Sequence, residues 1–143
     1  MTSEFAVALH ALVFLSRKGG CQSSERIAEN ICSNPARIRK VLSRLKKAGL
    51  VKTKEGLDGG YLFAGDAKSV TLADICRASG ATPVSVSWRP GSEELPCLIA
   101  SGMADIMDGI YAGLNEVCFE RLKSSTLSDM EGILFQSGRK KHL

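Results

Sequence analysis

The chain has 143 residues, 44% hydrophobic and 24% charged, enough apolar material for one domain with a core, which excludes a disordered chain. No apolar run approaches the ~20 residues of a membrane span, and the N-terminus Met-Thr-Ser-Glu-Phe-Ala-Val lacks the basic region and cleavage site of a signal peptide, so a cytoplasmic location is expected. The formal charge of +4 is unevenly spread: eight of nineteen Lys and Arg residues lie between Arg37 and Lys54, a stretch without Asp or Glu, and the remainder is net acidic.

A first helix is expected over Glu4–Arg17, stopped by Gly19-Gly20. Phe5, Ala8, Leu9, Leu12, Phe14 and Leu15 make it broadly apolar and therefore largely buried. A short second helix, Ser24–Ile31, takes Ser23 or Ser24 as its cap and turns Ile27, Ala28 and Ile31 inward. Only Cys32-Ser33 separates it from a third helix, and Cys32 is expected to pack in that turn. In this third helix Ile38, Val41, Leu42 and Leu45 recur on one side. Arg37, Lys40, Arg44 and Lys47 recur on another, with Arg39, Ser43 and Lys46 beside them. Ser33 or Asn34 caps its free amides, Pro35 fits the first helical position, and Gly49 supplies the stop.

Two short helices joined by so tight a turn, the second cationic, form a helix-turn-helix candidate. One concentrated sign of charge suits a polyanion, because each neutralised phosphate releases condensed counterions. A face kept only for solubility would interleave both signs.

After Gly49 the period changes. Leu50–Glu55 alternates as a strand does, 56–60 is turn chemistry, and Tyr61–Ala64 returns. A hairpin in this place is a wing, with Lys52 and Lys54 on one strand face, in reach of a DNA backbone or minor groove; the bland alternative is a surface hairpin without a partner. Another helix begins at Val70–Ile75, where Thr71 and Asp74 have capping-box spacing, and ends near Gly80. Residues 81–92 read as irregular, with Trp88 packing under the loop or, alternatively, serving a lid over a small effector. A long helix from about Pro96 to Lys123 spans ~42 Å. Ile99, Met103, Ile106, Ile110, Leu114 and Val117 recur along it, and with Asp105, Asp108, Glu116 and Glu120 outside they favour a seam between two subunits over packing back on the first helix. Thr126–Met130 begins a short capped helix, and Gly138–Leu143 is a frayed tail. The expected organisation is a DNA-binding unit over 1–80, a connecting loop over 81–95, a dimerisation helix and short C-terminal helix over 96–135, and a basic tail over 136–143.

The five cysteines, Cys21, Cys32, Cys76, Cys97 and Cys118, are widely spaced without a C-x-x-C pair, which is neither a disulfide framework nor a zinc site. His10 and His142 lie near no cysteine pair, and phosphate-cradling glycine motifs and G-x-S-x-G are missing, so neither catalytic residues nor a metal site are expected. Cys97 follows Pro96 at the start of the long helix, where free amides and the helix dipole favour the thiolate. It is the candidate redox sensor; a small buried hydrophobe is the alternative.

The segments S-S-E-R-I-A-E-N-I, N-P-A-R-I-R-K-V-L-S-R-L-K-K-A-G-L-V, E-G-L-D-G-G-Y and V-T-L-A-D-I resemble the Rrf2 family of bacterial transcription regulators over essentially the whole chain. The resemblance implies a mainly α fold with a small β-hairpin wing: a winged helix-turn-helix plus a long C-terminal dimerisation helix, aided by the first helix. It implies a homodimeric repressor on a palindromic, double-stranded DNA operator. The family's base-reading positions fall on Ala36, Arg37, Arg39 and Lys40 next to the cap Asn34. Arg44, Lys47, Lys52 and Lys54 would hold backbone, and Ser23 and Ser24 would offer a helix N-terminus to a phosphate. The wing position that commonly enters the minor groove falls on Glu55, which that groove's negative potential would repel. Cluster-binding members carry three close cysteines before the long helix. Here that segment offers only Cys97, so an iron–sulfur cluster is not expected and no cofactor is assigned. The competing function is a winged helix that docks an acidic protein partner.

Overall fold

Caps and glycines divide the chain where its apolar period changes. In the computed structural model, which describes residues 3–136, the elements in order are α1 (Glu4–Lys18), α2 (Ser24–Ile31), α3 (Pro35–Lys47), β1 (Val51–Lys54), β2 (Gly60–Phe63), α4 (Leu72–Ser79), α5 (Leu98–Lys123) and α6 (Leu127–Gln136). Asn34 Oδ1 accepts from the Ala36 N–H at 2.7 Å and starts α3. Gly49, at φ 79°, follows its C-cap Ala48. Thr71 and Asp74 make both bonds of a capping box at the start of α4, and Thr126 and Asp129 do the same for α6.

The core forms where the apolar faces of α1, α2, α3 and α4 meet. Leu12, Ile27, Ile38, Leu42, Leu45 and Ile75 are fully enclosed there, and Val51 and Leu127 close it from the hairpin and α6. Each such side chain contributes about 1.5–3 kcal/mol on burial. This core fixes the angle at which α3 stands out, which is what a docking helix needs.

The hairpin pairs Val51 with Phe63, Lys52 with Leu62, Thr53 with Tyr61 and Lys54 with Gly60. A third strand position joins it. Gln22, just before α2, exchanges two backbone hydrogen bonds of 2.8 Å with Tyr61. Gly60 makes this approach possible: at φ 144° a Cβ there would sit 2.5 Å from the Gln22 carbonyl oxygen. The wing is thus tied to the turn that launches α2.

Beyond Gly80 the chain runs back along α5 as a strap. Arg89 Nη2 pairs with Asp105 at 3.2 Å and Asp108 at 2.8 Å, so two of the acidic positions of α5 are satisfied by the loop. The Asn115 amide accepts from the Val84 N–H at 2.7 Å and donates to its carbonyl at 3.0 Å. Trp88 does not pack under the loop: it is 73% exposed, because the strap is held by these polar contacts on either side of it. Cys32 likewise does not pack in its turn. It takes the left-handed conformation (φ 59°) that ends α2, and this leaves its side chain exposed.

α5 has no buried side chain. It leans on α4, where Arg77 stacks over Phe119 at 4.4 Å. Ile99, Met103, Ile106, Ile110, Leu114 and Val117 are all exposed, and among the described residues nothing beyond the helix's own nearby backbone comes within 4 Å of where a Cβ would stand at Gly102, Gly109 or Gly113. After the turn at Ser124, the Leu72 N–H donates to the Ser125 carbonyl and the Leu127 N–H to the Val70 carbonyl, both at 2.9 Å. These bonds return α6 to α1, and a groove of about 550 Å³ lies between them, lined by Leu9, Val13, Phe14, Met130, Ile133 and Phe135. Of the expected tail over 136–143, Gln136 is the last residue of α6, and 137–143 lie outside the described residues.

Candidate nucleic-acid interface

The cationic face of α3 follows from its period. Ile38, Val41, Leu42 and Leu45 are buried, which turns Arg39, Lys40, Lys46 and Lys47 to solvent. Lys52 and Lys54 extend the exposed charge onto the hairpin, with Glu55 exposed at its tip. Among the described residues, Lys40, Lys47, Lys52 and Lys54 have neither an ion-pair nor a hydrogen-bond partner. Lys46 donates to the Thr53 hydroxyl at 3.0 Å and links α3 to β1.

The arginines are placed differently. Arg39 lies 3.9 Å from Glu25, with both side chains more than half exposed, an arrangement that contributes little. Arg37 is half-buried: its Nε and Nη2 donate to Glu4 on α1 at 3.3 Å, and Nη2 also donates to the Ser3 hydroxyl. Arg44 turns away from the lysines. Its Nη1 donates to the Ser79 carbonyl at 3.0 Å and satisfies the C-terminal end of α4, so a phosphate would compete with that bond. Ser23 accepts from the Arg26 N–H at 3.2 Å, whereas Ser24 is buried with its hydroxyl on Glu25 at 3.3 Å. Asn34 and Ala36 are exposed at the start of α3.

The sequence reading did not find the carboxylates of Glu4 and Glu25 beside the α3 arginines, nor the contact of Gln22 with the wing. Gly59-Gly60-Tyr61 carried a usable signal for the latter, since paired glycines before a strand mark a close backbone approach.

Cys97 is the N-cap of α5 and is exposed. Its sulfur makes no capping hydrogen bond, but the Ala100 and Ile99 N–H groups act on it and hold the thiol pKa below its usual value. Cys76 is the opposite case: burial pushes its thiol pKa up against the lowering effect of Arg77. His10 bonds to Asn30 through Nε2 at 2.8 Å.

The fold places a helix pair and a hairpin around one cationic surface, and the Rrf2 family, described as an iron-dependent transcriptional regulator, matches residues 1–131. The chain belongs to the Rrf2 family. It is a transcriptional regulator rather than an enzyme. The chain is 27% identical over 137 residues to the "Putative HTH-type transcriptional regulator YwnA" of Bacillus subtilis (strain 168), covering 94% of this chain and 99% of that one. It is 27% identical over 133 residues to the HTH-type transcriptional regulator CymR of the same organism, covering 89% and 91%. The structure of T. potens IscR shares the fold with a TM-score of 0.70 at 21% identity, covering 99% and 93%.

The family description names iron, but the donor set here does not fit a cluster. Cys97 is the one thiol near the start of α5, Cys76 is enclosed in α4, and no three His, Cys, Asp or Glu side chains converge among the described residues. No helix among them is long and apolar enough to cross a membrane.

Proposed function

We propose that this Rrf2 regulator is a homodimeric, cytoplasmic repressor of a palindromic operator, with α3 in the major groove and the hairpin beside it. The observation that carries the dimer is the six-residue apolar stripe of α5, exposed throughout a helix with no buried side chain. A single copy gains nothing by displaying it, whereas a second copy of the same helix buries it by symmetry. On DNA, Arg37, Arg39 and Lys40 face base edges or adjacent phosphates, and Lys47, Lys52 and Lys54 meet backbone, since these lysines are exposed and otherwise unengaged. Cys97 supplies the response: its thiolate attacks a peroxide oxygen, becomes a sulfenic acid and releases water or an alcohol. The change falls at the first turn of the dimer helix.

The test is a titration of duplexes selected from a random pool, at two salt concentrations, with reduced and peroxide-treated protein. A palindrome should be preferred over random DNA, and both affinities should fall steeply with salt. Lys47→Ala should weaken all duplexes alike and reduce the salt slope by about 1. Peroxide should release the unsubstituted protein but not Cys97→Ser. Failure to prefer any duplex refutes the operator; equal release of both proteins refutes the thiol response alone.

A further inference from the structure

Arg37 stands in the first turn of α3, and its guanidinium is held by another helix. Nε and Nη2 both donate to Glu4 Oε1, each at 3.3 Å, and Nη2 also donates to the Ser3 hydroxyl. Nη1 has no protein partner among the described residues. The two side chains are 38% and 26% exposed, so the pair is partly screened from water and stands at the edge of the cationic surface. Among the described residues, no other cation of that surface is held in this way. Arg39 reaches its carboxylate only at 3.9 Å, and Arg44 is spent on α4.

We infer that Glu4 is a positioning residue for base reading: it pins the Arg37 guanidinium to α1 so that Nη1 meets an acceptor on a base edge already oriented. The inference rests on the proposed entry of α3 into the major groove. A free arginine loses rotamer freedom when it is fixed on a base, and one pinned beforehand loses less. Guanine O6 or N7 is such an acceptor in that groove. The Ser3 contact acts with Glu4, since it constrains the same Nη2 from a second direction.

Two other roles for the pair make different predictions. A carboxylate near a duplex repels phosphate, so if Glu4 acted through charge alone its removal would tighten binding to every duplex. If the pair were only a staple between α1 and α3, its removal would lower the melting temperature and weaken all duplexes equally.

The experiment uses the full chain and a duplex selected by it from a randomised pool. Affinities of the unsubstituted protein, Glu4→Gln, Arg37→Ala and the double variant are measured on that duplex, on each single base-pair change of it and on random DNA. Glu4→Gln should lose about fivefold or more of the preference at the one base pair that Arg37→Ala flattens, and lose nothing further there in the Arg37→Ala background. Its affinity for random DNA should stay level or rise, which also shows that the variant is folded. Ser3→Ala, which leaves the charges in place, should move the same base pair in the same direction by a smaller factor. An unchanged preference in Glu4→Gln, or an equal loss on all duplexes, overturns the inference while leaving the operator standing. A chain that selects no duplex removes both.

Discussion

Ile110 lies near the middle of the α5 stripe and is 48% exposed in the single chain. Complete burial of an isoleucine side chain contributes about 1.5–3 kcal/mol, so closing its open half contributes about 0.7–1.5 kcal/mol. Two-fold symmetry counts every substitution twice, and alanine keeps only the β-carbon. Ile110→Ala should therefore weaken the dimer by about 1–2 kcal/mol, or roughly 5- to 30-fold in dissociation constant. The winged-helix core does not include Ile110, so circular dichroism of the variant should remain that of the folded chain. Sedimentation across a range of concentrations reads the dissociation constant directly. An unchanged constant, or an unsubstituted protein that sediments as one chain at every concentration, refutes the placement of the seam.

Three further outcomes follow from the contacts described. Arg44→Ala removes the donor to the Ser79 carbonyl, and with the side chain only half-buried the loss should be about 1 kcal/mol, seen as a melting temperature lower by a few degrees. Gly60→Ala would force a Cβ against the Gln22 carbonyl at a positive φ; a loss of about 2–3 kcal/mol and faster hydrogen exchange at the Tyr61 and Gln22 amides are expected. For Cys97 the sign follows from the lowered pKa: the thiolate persists to lower pH than an ordinary thiol allows. Its alkylation rate should reach half-maximum at a lower pH in the folded protein than in urea, and coinciding profiles would show that the Ala100 and Ile99 amides do not act on the sulfur.

The cationic helix was legible because every local signal agreed. Asn34 caps it, Pro35 begins it, Gly49 ends it, and the four apolar residues sit one helical face apart. The same holds for the Thr71–Asp74 and Thr126–Asp129 boxes, whose bonds span three residues and need no tertiary knowledge. What escaped was long-range. The Gln22–Tyr61 bridge is one residue long and leaves no alternating pattern to read. The identical charges of Arg37, Arg44 and Lys47 look equivalent along the helix, yet their surroundings differ because α1 and α4 approach two of them and not the third. Trp88 is expected under the loop, whereas the segment around it is held by Arg89 and Asn115 and needs no apolar anchor.

The three glycines inside α5 carry a cost that the lone chain never recovers. Each sacrifices about 1 kcal/mol of helix propensity relative to alanine, and nothing among the described residues stands near enough to require the missing methyl. Gly102, Gly109 and Gly113 recur at seven and four residues, the spacing at which two helices can bring their backbones together. In the proposed dimer, filling those notches would stiffen one rod and wedge the pair apart, so that gains in monomer rigidity and in mating would trade against each other along this helix.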